Sequence, residues 1–185
     1  MSVNILGGRA KGHALFVPHS SITRPTSVML RRRFFDAHQD MTDIIFIDLC
    51  AGSGAMGIEA LSRGAEKVYL NEQNPKVLSV LKKNKSSLKK FDIEKEVTIT
   101  KSSCVDFLKN HRELDGEDTF IFFDPPYEDH ALYKEVLKEL KSYSNSKCII
   151  ETDRQKGIKK EVIESYDFHI RKEYKQGTSY IYILE

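Results

Sequence analysis

The sequence predicts an α/β protein built on a mostly parallel, doubly wound sheet. After residue 40, apolar strand-like runs alternate with amphipathic helical stretches. The first of these runs leads directly into a glycine-rich loop and a helix, as in nucleotide-binding folds. The C-terminus breaks the alternation with two extended runs around Gln176-Gly177, which predict a hairpin. The core strands are expected at residues 44–49, 67–72, 96–101, 119–124 and 147–152.

Local signals bound each predicted helix. Residues 55–63 end just before Gly64, a typical C-terminal stop. Residues 75–89 follow Asn74, a capping residue, and start with a proline at the first helical position. Residues 130–141 place four apolar side chains on one face. The glycine-containing N-terminus predicts short β structure, followed by a helix from about residue 27 to 38.

Composition excludes several classes of protein. A chain of 185 residues is long enough for one domain with a sizeable core. No apolar run approaches the roughly 20 residues that a membrane helix needs, and no signal-peptide pattern opens the chain. Cys50, Cys104 and Cys148 are odd in number and far apart, which indicates neither a disulfide framework nor a zinc site and favours a reducing cytoplasm. The six histidines show no ligand spacing, so we expect no metal and no membrane.

Positive charge is concentrated at the N-terminus. Residues 1–35 contain six basic and no acidic side chains, which leaves 23 basic and 27 acidic residues for the rest of the chain. A basic segment on a mildly acidic body predicts a docking surface for nucleic acid, although a solvated basic terminus would give the same pattern. We interpret the triple arginine at 31–33 in the same way, as an RNA contact rather than a solvated helix face.

The glycine-rich loop poses a question of charge. Gly52, Gly54 and Gly57 have the G-x-G-x-x-G spacing of dinucleotide sites. Asp48 precedes them by four residues, and a carboxylate there would oppose a pyrophosphate at the helix N-terminus. The sulfonium and ammonium groups of S-adenosylmethionine are instead compatible with it. Glu72 ends the next strand and can accept ribose hydroxyls in either kind of site, so it does not discriminate.

The segment Asp124-Pro125-Pro126-Tyr127 discriminates better. An exocyclic amine of a nucleobase is a poor nucleophile because its lone pair is delocalised into the ring. Two acceptors for its hydrogens, the Asp124 carboxylate and the Pro125 carbonyl, would favour tetrahedral geometry, and rigid prolines would hold them in place. Tyr127 offers a face on which the base can stack. A plain strand-ending turn would explain the prolines but neither the aspartate nor the aromatic residue.

These motifs together resemble the bacterial 16S ribosomal RNA guanine-N2-methyltransferases of the RsmD type. The resemblance includes DLCAGSGAMGIEALSRGA, NEQN, DPPY, the N-terminal ILGGRAKGHAL and RPT, and the C-terminal GTSYIYIL. It implies a Rossmann-like class I methyltransferase fold: a seven-stranded, mostly parallel sheet with an antiparallel last strand and a small N-terminal β extension. It also implies S-adenosylmethionine as methyl donor, S-adenosylhomocysteine as product, and a guanine N2 amine of 16S rRNA as acceptor. The expected enzyme is a cytoplasmic monomer that acts on a small ribosomal subunit or an assembly intermediate.

The resemblance further suggests roles for individual residues. The catalytic group would be Asp124, Pro125, Pro126 and Tyr127. We expect the cofactor to be bound by Asp48, Cys50, Ala51, Gly52, Ser53, Gly54, Glu72, Gln73, Ser103 and Cys104. The expected RNA contacts are Arg9, Lys11, Arg24, Arg31 and Arg32. We accordingly divide the chain into an RNA-docking extension, residues 1–38, and a methyltransferase domain, residues 39–185.

Three positions depart from the family pattern. Cys50 stands where phenylalanine is usual, which we interpret as a packing change. Ser103 stands where an acidic residue or asparagine usually contacts the adenine amine, so Asp106 is an alternative reader of the adenine. After Arg-Pro-Thr the family pattern has Asp and, further on, Arg-Glu, whereas this chain has Val28 and Arg31-Arg32 at those positions. The loss of two acids and the gain of an arginine make this helix more basic.

Two other functions remain compatible with the sequence. An adenine-N6 amino-methyltransferase acting on DNA or RNA would use the same motifs, but a chain of 185 residues has no room for a separate DNA target-recognition domain. A non-catalytic RNA-binding protein could adopt the same fold, but the intact Asp124 and Glu72 argue against it.

Overall fold

The computed structural model describes residues 2–18 and 28–185. Nine strands occur in this part of the chain. They are β1 (Ser2–Asn4), β2 (Ala14–Phe16), β3 (Ile45–Asp48), β4 (Lys67–Asn71), β5 (Val97–Thr100), β6 (Thr119–Phe123), β7 (Lys147–Asp153), β8 (Ile170–Gln176) and β9 (Ser179–Leu184).

Seven of these strands form the central sheet, in the order β5-β4-β3-β6-β7-β9-β8. β3 to β7 are parallel to one another, and β9 is antiparallel to both of its neighbours, β7 and β8. A tight turn at Gly177, where φ is +60°, joins β8 to β9. The predicted seven-stranded, mostly parallel sheet with an antiparallel last strand is therefore confirmed.

Six α-helices accompany the strands in the described residues. They are α1 (Val28–Asp36), α2 (Ala55–Ser62), α3 (Pro75–Ser87), α4 (Cys104–Asn110), α5 (His130–Leu140) and α6 (Lys160–Glu164). As predicted, the Asn74 side chain caps α3 by accepting a hydrogen bond from the Lys76 amide. The helix was predicted to reach residue 89, but α3 ends at Ser87 and a separate 3₁₀ turn, Leu88–Phe91, follows it. The short helices α4 and α6 were not predicted.

Alternating side chains of the sheet form two apolar cores, one on each face. Phe120 and Phe122 pack on the face covered by α1, α2 and α3, whereas Ile121 and Phe123 pack on the face covered by α4, α5 and α6. None of the helices in the described residues is long and apolar enough to cross a membrane.

The N-terminal hairpin, residues 2–16, pairs β1 with β2 and packs against two helices. The buried Glu59 of α2 accepts hydrogen bonds from the Leu6 and Gly7 amides at 2.7 and 2.9 Å. Asn84 of α3 exchanges two 2.8 Å hydrogen bonds with the Phe16 backbone and donates a third to the carbonyl of Ser53. The hairpin therefore shares its core with the rest of the fold, and the functional division at residue 38 stays a prediction.

Candidate active site

Four acidic side chains meet at the carboxyl ends of four neighbouring strands. Asp48 ends β3 and lies level with Phe122 of β6. Asp124 follows Phe122 by two residues, Glu72 directly follows β4, and Glu151 lies in β7. Because parallel strands end at the same edge of the sheet, the topology brings together residues that span a hundred positions of sequence.

These carboxylates border a cavity of about 390 Å³, a size typical of small-molecule sites. No lysine, arginine or histidine of the described residues borders it. Among the described residues, the charged side chains of its lining are thus all acidic. An acidic lining favours a cationic ligand over a pyrophosphate.

Asp48 shows the effect of this charge most clearly. Its side chain is 2% exposed. Burial raises the pKa of its carboxyl to about 8, with a further rise from Asp124, while hydrogen bonds from the Gly57 and Cys50 amides oppose the shift. Its Oδ1 atom has no hydrogen-bond partner among the described residues. A positively charged group of a ligand would compensate this buried carboxylate, so the site fits S-adenosylmethionine.

The loop between β3 and α2 needs glycine for two different reasons. Gly54 has φ +82°, and a Cβ atom there would lie 2.7 Å from Cδ1 of Leu81. Gly52 has φ +54°, but a Cβ atom there would meet only the Cys50 carbonyl oxygen, at 3.9 Å. Positive φ and the crowding methyl groups therefore disfavour a side chain at Gly54, whereas Gly52 borders the cavity and lets the backbone approach a ligand.

Glu72 connects this loop to the start of α3. Its Oε2 accepts a hydrogen bond from the Gly52 amide at 3.1 Å, and its Oε1 accepts one from the Asn74 amide at 2.8 Å. Each carboxylate oxygen can accept a second hydrogen bond. The carboxylate is thus fixed by the backbone and still able to accept two ribose hydroxyls.

Asn71 is a site residue that sequence reasoning missed. Its Nδ2 donates to the carbonyls of Leu49 and Ser102, and its Oδ1 accepts from the Thr100 hydroxyl and from the amide and hydroxyl of Ser102. One buried amide thereby holds the loops that follow β3 and β5. Its place at the end of β4 is visible in the sequence, but its partners are set only by the tertiary fold.

Ser103 and Asp106, the two residues considered for contact with the adenine amine, hydrogen-bond to each other. Ser103 caps α4: its hydroxyl accepts the Asp106 amide at 3.0 Å and donates to Asp106 Oδ2 at 2.8 Å. Neither residue borders the cavity, whereas their neighbours Ser102 and Cys104 do. The role expected for Ser103 or Asp106 stays a prediction.

Most of the other residues expected to bind a cofactor border the cavity. Gly54, the loop residue directly before α2, does not. The Sγ atoms of Cys50 and Cys104 are 3.3 Å apart, and Cys104 also contacts the Leu49 carbonyl. The residues that border the cavity as expected are Asp48, Cys50, Ala51, Gly52, Ser53, Glu72, Gln73 and Cys104.

The tetrapeptide 124–127 forms another part of the cavity wall, and the backbone on either side fixes its position. It follows β6 directly, and the Asp129 amide donates to the Pro126 carbonyl at 2.9 Å. Asp129 then caps α5 by accepting from the Leu132 amide. All four residues of the tetrapeptide border the cavity. The described hydrogen bonds leave the carbonyl of Pro125 without a donor, as an acceptor for a substrate requires.

Glu151 is the second site residue that sequence reasoning missed. Its side chain is 1% exposed, and its Oε1 accepts a 2.8 Å hydrogen bond from the Tyr127 hydroxyl. Its carbonyl accepts another from the Tyr133 hydroxyl at 2.8 Å. Burial and the nearby carboxylates of Glu151 and Asp124 raise the pKa of Tyr127, so this hydroxyl remains a donor. The sequence signal that could have identified Glu151 is its position as an acidic residue inside the largely apolar run 147–152.

The expected RNA contacts require one correction. Arg9, Lys11 and Arg32 are exposed, whereas Arg24 lies outside the described residues. Arg31 is 0% exposed, and its Nη2 donates to the Asn4 carbonyl beneath the N-terminal hairpin. Burial lowers the pKa of its guanidinium. Because a side chain closed off from solvent cannot reach a phosphate, the assignment of Arg31 as an RNA contact is wrong.

Comparison with known proteins identifies the family. A family model described as "Conserved hypothetical protein 95" matches residues 3–184. The chain belongs to this family. One relative is "Ribosomal RNA small subunit methyltransferase D" of Buchnera aphidicola. It is 28% identical over 183 residues, which cover 98% of this chain and 93% of that protein. The Haemophilus influenzae protein of the same name is 38% identical over 130 residues, which cover 68% of this chain and 64% of that protein.

A solved structure supports the same assignment. A putative methyltransferase from Escherichia coli matches with a TM-score of 0.76 and 25% identity, over 100% of this chain and 97% of that one. The class I methyltransferase fold and the resemblance to RsmD-type proteins are thus confirmed.

Proposed function

We propose that this protein transfers a methyl group from S-adenosylmethionine to the exocyclic N2 amine of a guanine in 16S ribosomal RNA. The observation that carries the proposal is the position of Asp124-Pro125-Pro126-Tyr127 on the wall of a cavity lined by acidic side chains. The names of the curated relatives support ribosomal RNA of the small subunit as the substrate.

The cavity residues would hold the methyl donor in two places. Asp48 and the loop of Gly52 would lie beside the cationic methionine part, and Glu72 would accept the ribose hydroxyls. S-adenosylmethionine supplies an electrophilic methyl group attached to a sulfonium. Of the four carboxylates, Glu72 is fixed by two backbone amides, which leaves it ordered before any ligand arrives.

The tetrapeptide would act on the guanine. The Asp124 carboxylate and the Pro125 carbonyl accept the two hydrogens of the amine and favour its tetrahedral geometry. The ring of Tyr127 stacks on the base. Correct positioning supplies much of the catalysis, and the proton that the amine loses passes to solvent or to Asp124. No covalent enzyme intermediate is involved.

We further propose that the protein acts as a cytoplasmic monomer on RNA in a small ribosomal subunit or an assembly intermediate. The base is presented to the pocket in an unstacked form, because an amine inside a helix cannot reach Asp124.

The decisive experiment identifies the methylated nucleoside. Unmodified 16S RNA, free and in small subunits, is incubated with the protein and labelled S-adenosylmethionine and then digested to nucleosides. We expect N2-methylguanosine. Label in N6-methyladenosine would contradict the choice of base, and absence of label in both substrates would contradict the function.

A variant tests the mechanism. Asp124→Ala should abolish turnover and leave binding of S-adenosylhomocysteine nearly intact, measured as the rise in melting temperature. Glu128→Ala is the matched control, because Glu128 is an exposed acid next to the tetrapeptide and pairs with Lys156. A near-normal rate for Asp124→Ala would show the mechanism to be wrong. A melting temperature raised by NAD and not by S-adenosylhomocysteine would show the cofactor to be wrong.

A further inference from the structure

Helix α3 and the 3₁₀ turn that follows it form a strongly basic element. From Gln73 to Phe91 the chain contains six lysines and no acidic residue. Lys85 is partly buried and donates to the Val97 carbonyl. The remaining five lysines are exposed: Lys76, Lys82, Lys83, Lys89 and Lys90.

These five lysines have no acidic partner within the described residues. Ion pairs elsewhere neutralise basic side chains, as between Arg112 and Glu139 or between Lys141 and Asp167. None of the ion pairs found in residues 2–18 and 28–185 includes a lysine of α3 or its 3₁₀ turn. Residues 19–27 contain no acidic side chain either. The exposed lysines of this element therefore make no ion pair within these residues, and the acidic residues nearest to it in sequence are Glu72 before it and Asp92 after it.

Three of the lysines recur every seven residues along the element: Lys76, Lys83 and Lys90. Lys76 and Lys83 are close to two turns apart on α3, so they lie on one side of it and about 10 Å apart along its axis, and Lys90 follows in the 3₁₀ turn. Ser87 lies four residues after Lys83 and thus on the same side. Its hydroxyl is within hydrogen-bond distance, 2.7 Å, of His13 in the N-terminal hairpin. The run of lysines therefore lies beside this hairpin.

One end of this run joins the basic residues of the hairpin. Arg9 donates through Nη2 to the Phe91 carbonyl at 3.1 Å, and the Lys90 ammonium lies 4.9 Å from the centre of the Phe91 ring. The other end reaches the cavity, because Asn74 and Val77, on either side of Lys76, border it. A run of basic side chains thus extends from the hairpin to the mouth of the candidate active site.

We propose that Lys76, Lys83 and Lys90, together with Arg9, form a docking surface for the phosphate backbone of the substrate RNA. This inference rests on the proposed function and adds a binding surface on α3 to it. The partner is an RNA because phosphates complement an unpaired row of ammonium groups, and the row leads to a pocket for a base. Backbone contacts fix the register of an RNA, whereas Asp124 acts on the single base that enters the pocket.

The test compares two double variants with equal loss of charge. Lys83→Gln/Lys90→Gln removes two members of the row. Lys134→Gln/Lys138→Gln is the matched control, because both lysines are exposed on α5, which also starts at the cavity but alternates lysine with glutamate. Binding to unmodified 16S RNA, free and in small subunits, is measured by filter binding between about 50 and 200 mM salt.

We expect the α3 variant to bind RNA about tenfold more weakly at low salt. Its slope of log K against log salt should fall by about 1.4 to 1.8, the value for two lost phosphate contacts. The α5 variant should stay within about twofold of the parent. Binding of S-adenosylhomocysteine should be unchanged in both. Equal effects of the two variants, an unchanged salt slope, or no binding of the parent protein to either substrate would overturn the proposal.

The outcomes separate this inference from the proposed function. Methyl transfer to guanine with an α3 variant that binds RNA like the parent would refute the docking surface alone. Lysine-dependent RNA binding without methyl transfer would refute the proposed function alone. Duplex DNA of equal length that binds as tightly as the RNA, with the same dependence on α3, would refute RNA as the specific partner.

Discussion

The hydroxyl of Tyr127 donates a 2.8 Å hydrogen bond to the buried carboxylate of Glu151. Tyr127 belongs to the tetrapeptide after β6, and Glu151 belongs to the next strand of the sheet, β7. The ring is therefore anchored at its far end, while it borders the cavity. An aromatic ring held in this way loses little further freedom when a base stacks on it.

This geometry separates the roles of the ring and the hydroxyl. Tyr127→Phe keeps the ring and loses one hydrogen bond, so kcat/KM should fall by less than about tenfold. Tyr127→Ala also loses the stacking surface, worth about 1–3 kcal/mol, and kcat/KM should fall by about ten- to a hundredfold more. Binding of S-adenosylhomocysteine, followed by thermal shift, serves as the control. Equal losses in the two variants would mean that the base does not stack on this ring.

Asp48 should make stability depend on pH. Its carboxyl has a pKa of about 8 in the fold and a usual value of 3.8. Between these two values the folded state binds more protons than the unfolded state, so the free energy of unfolding should fall as pH rises from about 4 to 8. Asp48→Asn removes the titrating group and should flatten this profile and raise stability above about pH 8.

Urea denaturation between about pH 5 and 9 measures both profiles. Asp36→Asn, which changes an exposed acid on α1, is the control and should follow the parent. An Asp48→Asn profile parallel to that of the parent would show that the buried carboxyl does not titrate in this range. We also expect Asp48→Asn to bind S-adenosylmethionine more weakly, because the cationic ligand loses its compensating charge.

Glu72 should be required for cofactor affinity. In Glu72→Gln, one carboxylate oxygen becomes an amide that cannot accept the Gly52 or Asn74 hydrogen bond or a ribose hydroxyl. Loss of such acceptors costs about 1–3 kcal/mol, which corresponds to a roughly ten- to hundredfold higher Kd for S-adenosylhomocysteine. Calorimetric titration measures it, with the exposed Glu66→Gln as the control. An unchanged Kd would place the ribose elsewhere.

Asn71 should matter for stability and cofactor binding together. Asn71→Ala leaves several buried partners of its amide without a hydrogen bond, so the free energy of unfolding should fall by at least about 2 kcal/mol. The loops after β3 and β5 lose their common support, and cofactor affinity should fall as well. Asn145→Ala, at an exposed position that bonds Asp115, is expected to change stability little. Full cofactor affinity in Asn71→Ala would show that the loops hold their shape without it.

Local patterns predicted most of the fold. The strand 119–124 was visible as an apolar run stopped by prolines, and the start of α3 was visible as Asn74-Pro75. α4 was missed because it has only seven residues, although its Ser103–Asp106 cap follows a known pattern. α6, with five residues, is too short for its periodicity to be detected.

The candidate site was predictable where a motif carries the chemistry and not where tertiary packing decides. Asp48, Glu72 and Asp124 belong to recognisable segments, and they meet because the parallel strands end together. Glu151 lies outside these segments, and Asn71, although it opens NEQN, acts through partners that the motif does not reveal. The roles of both depend on partners far away in sequence. Arg31 resembles its exposed neighbour Arg32 in the sequence, and only the position of the N-terminal hairpin buries it.

A single amide side chain connects the N-terminal hairpin with the glycine-rich loop. Asn84 bonds Phe16 at the end of the N-terminal hairpin and the Ser53 carbonyl in the glycine loop. One side chain thus joins the loop to the hairpin. Under the proposed function, in which the loop holds the cofactor and the hairpin contacts RNA, thermodynamic reciprocity requires that any preference of the RNA complex for the cofactor-loaded form equal the preference of the cofactor for the RNA-loaded form.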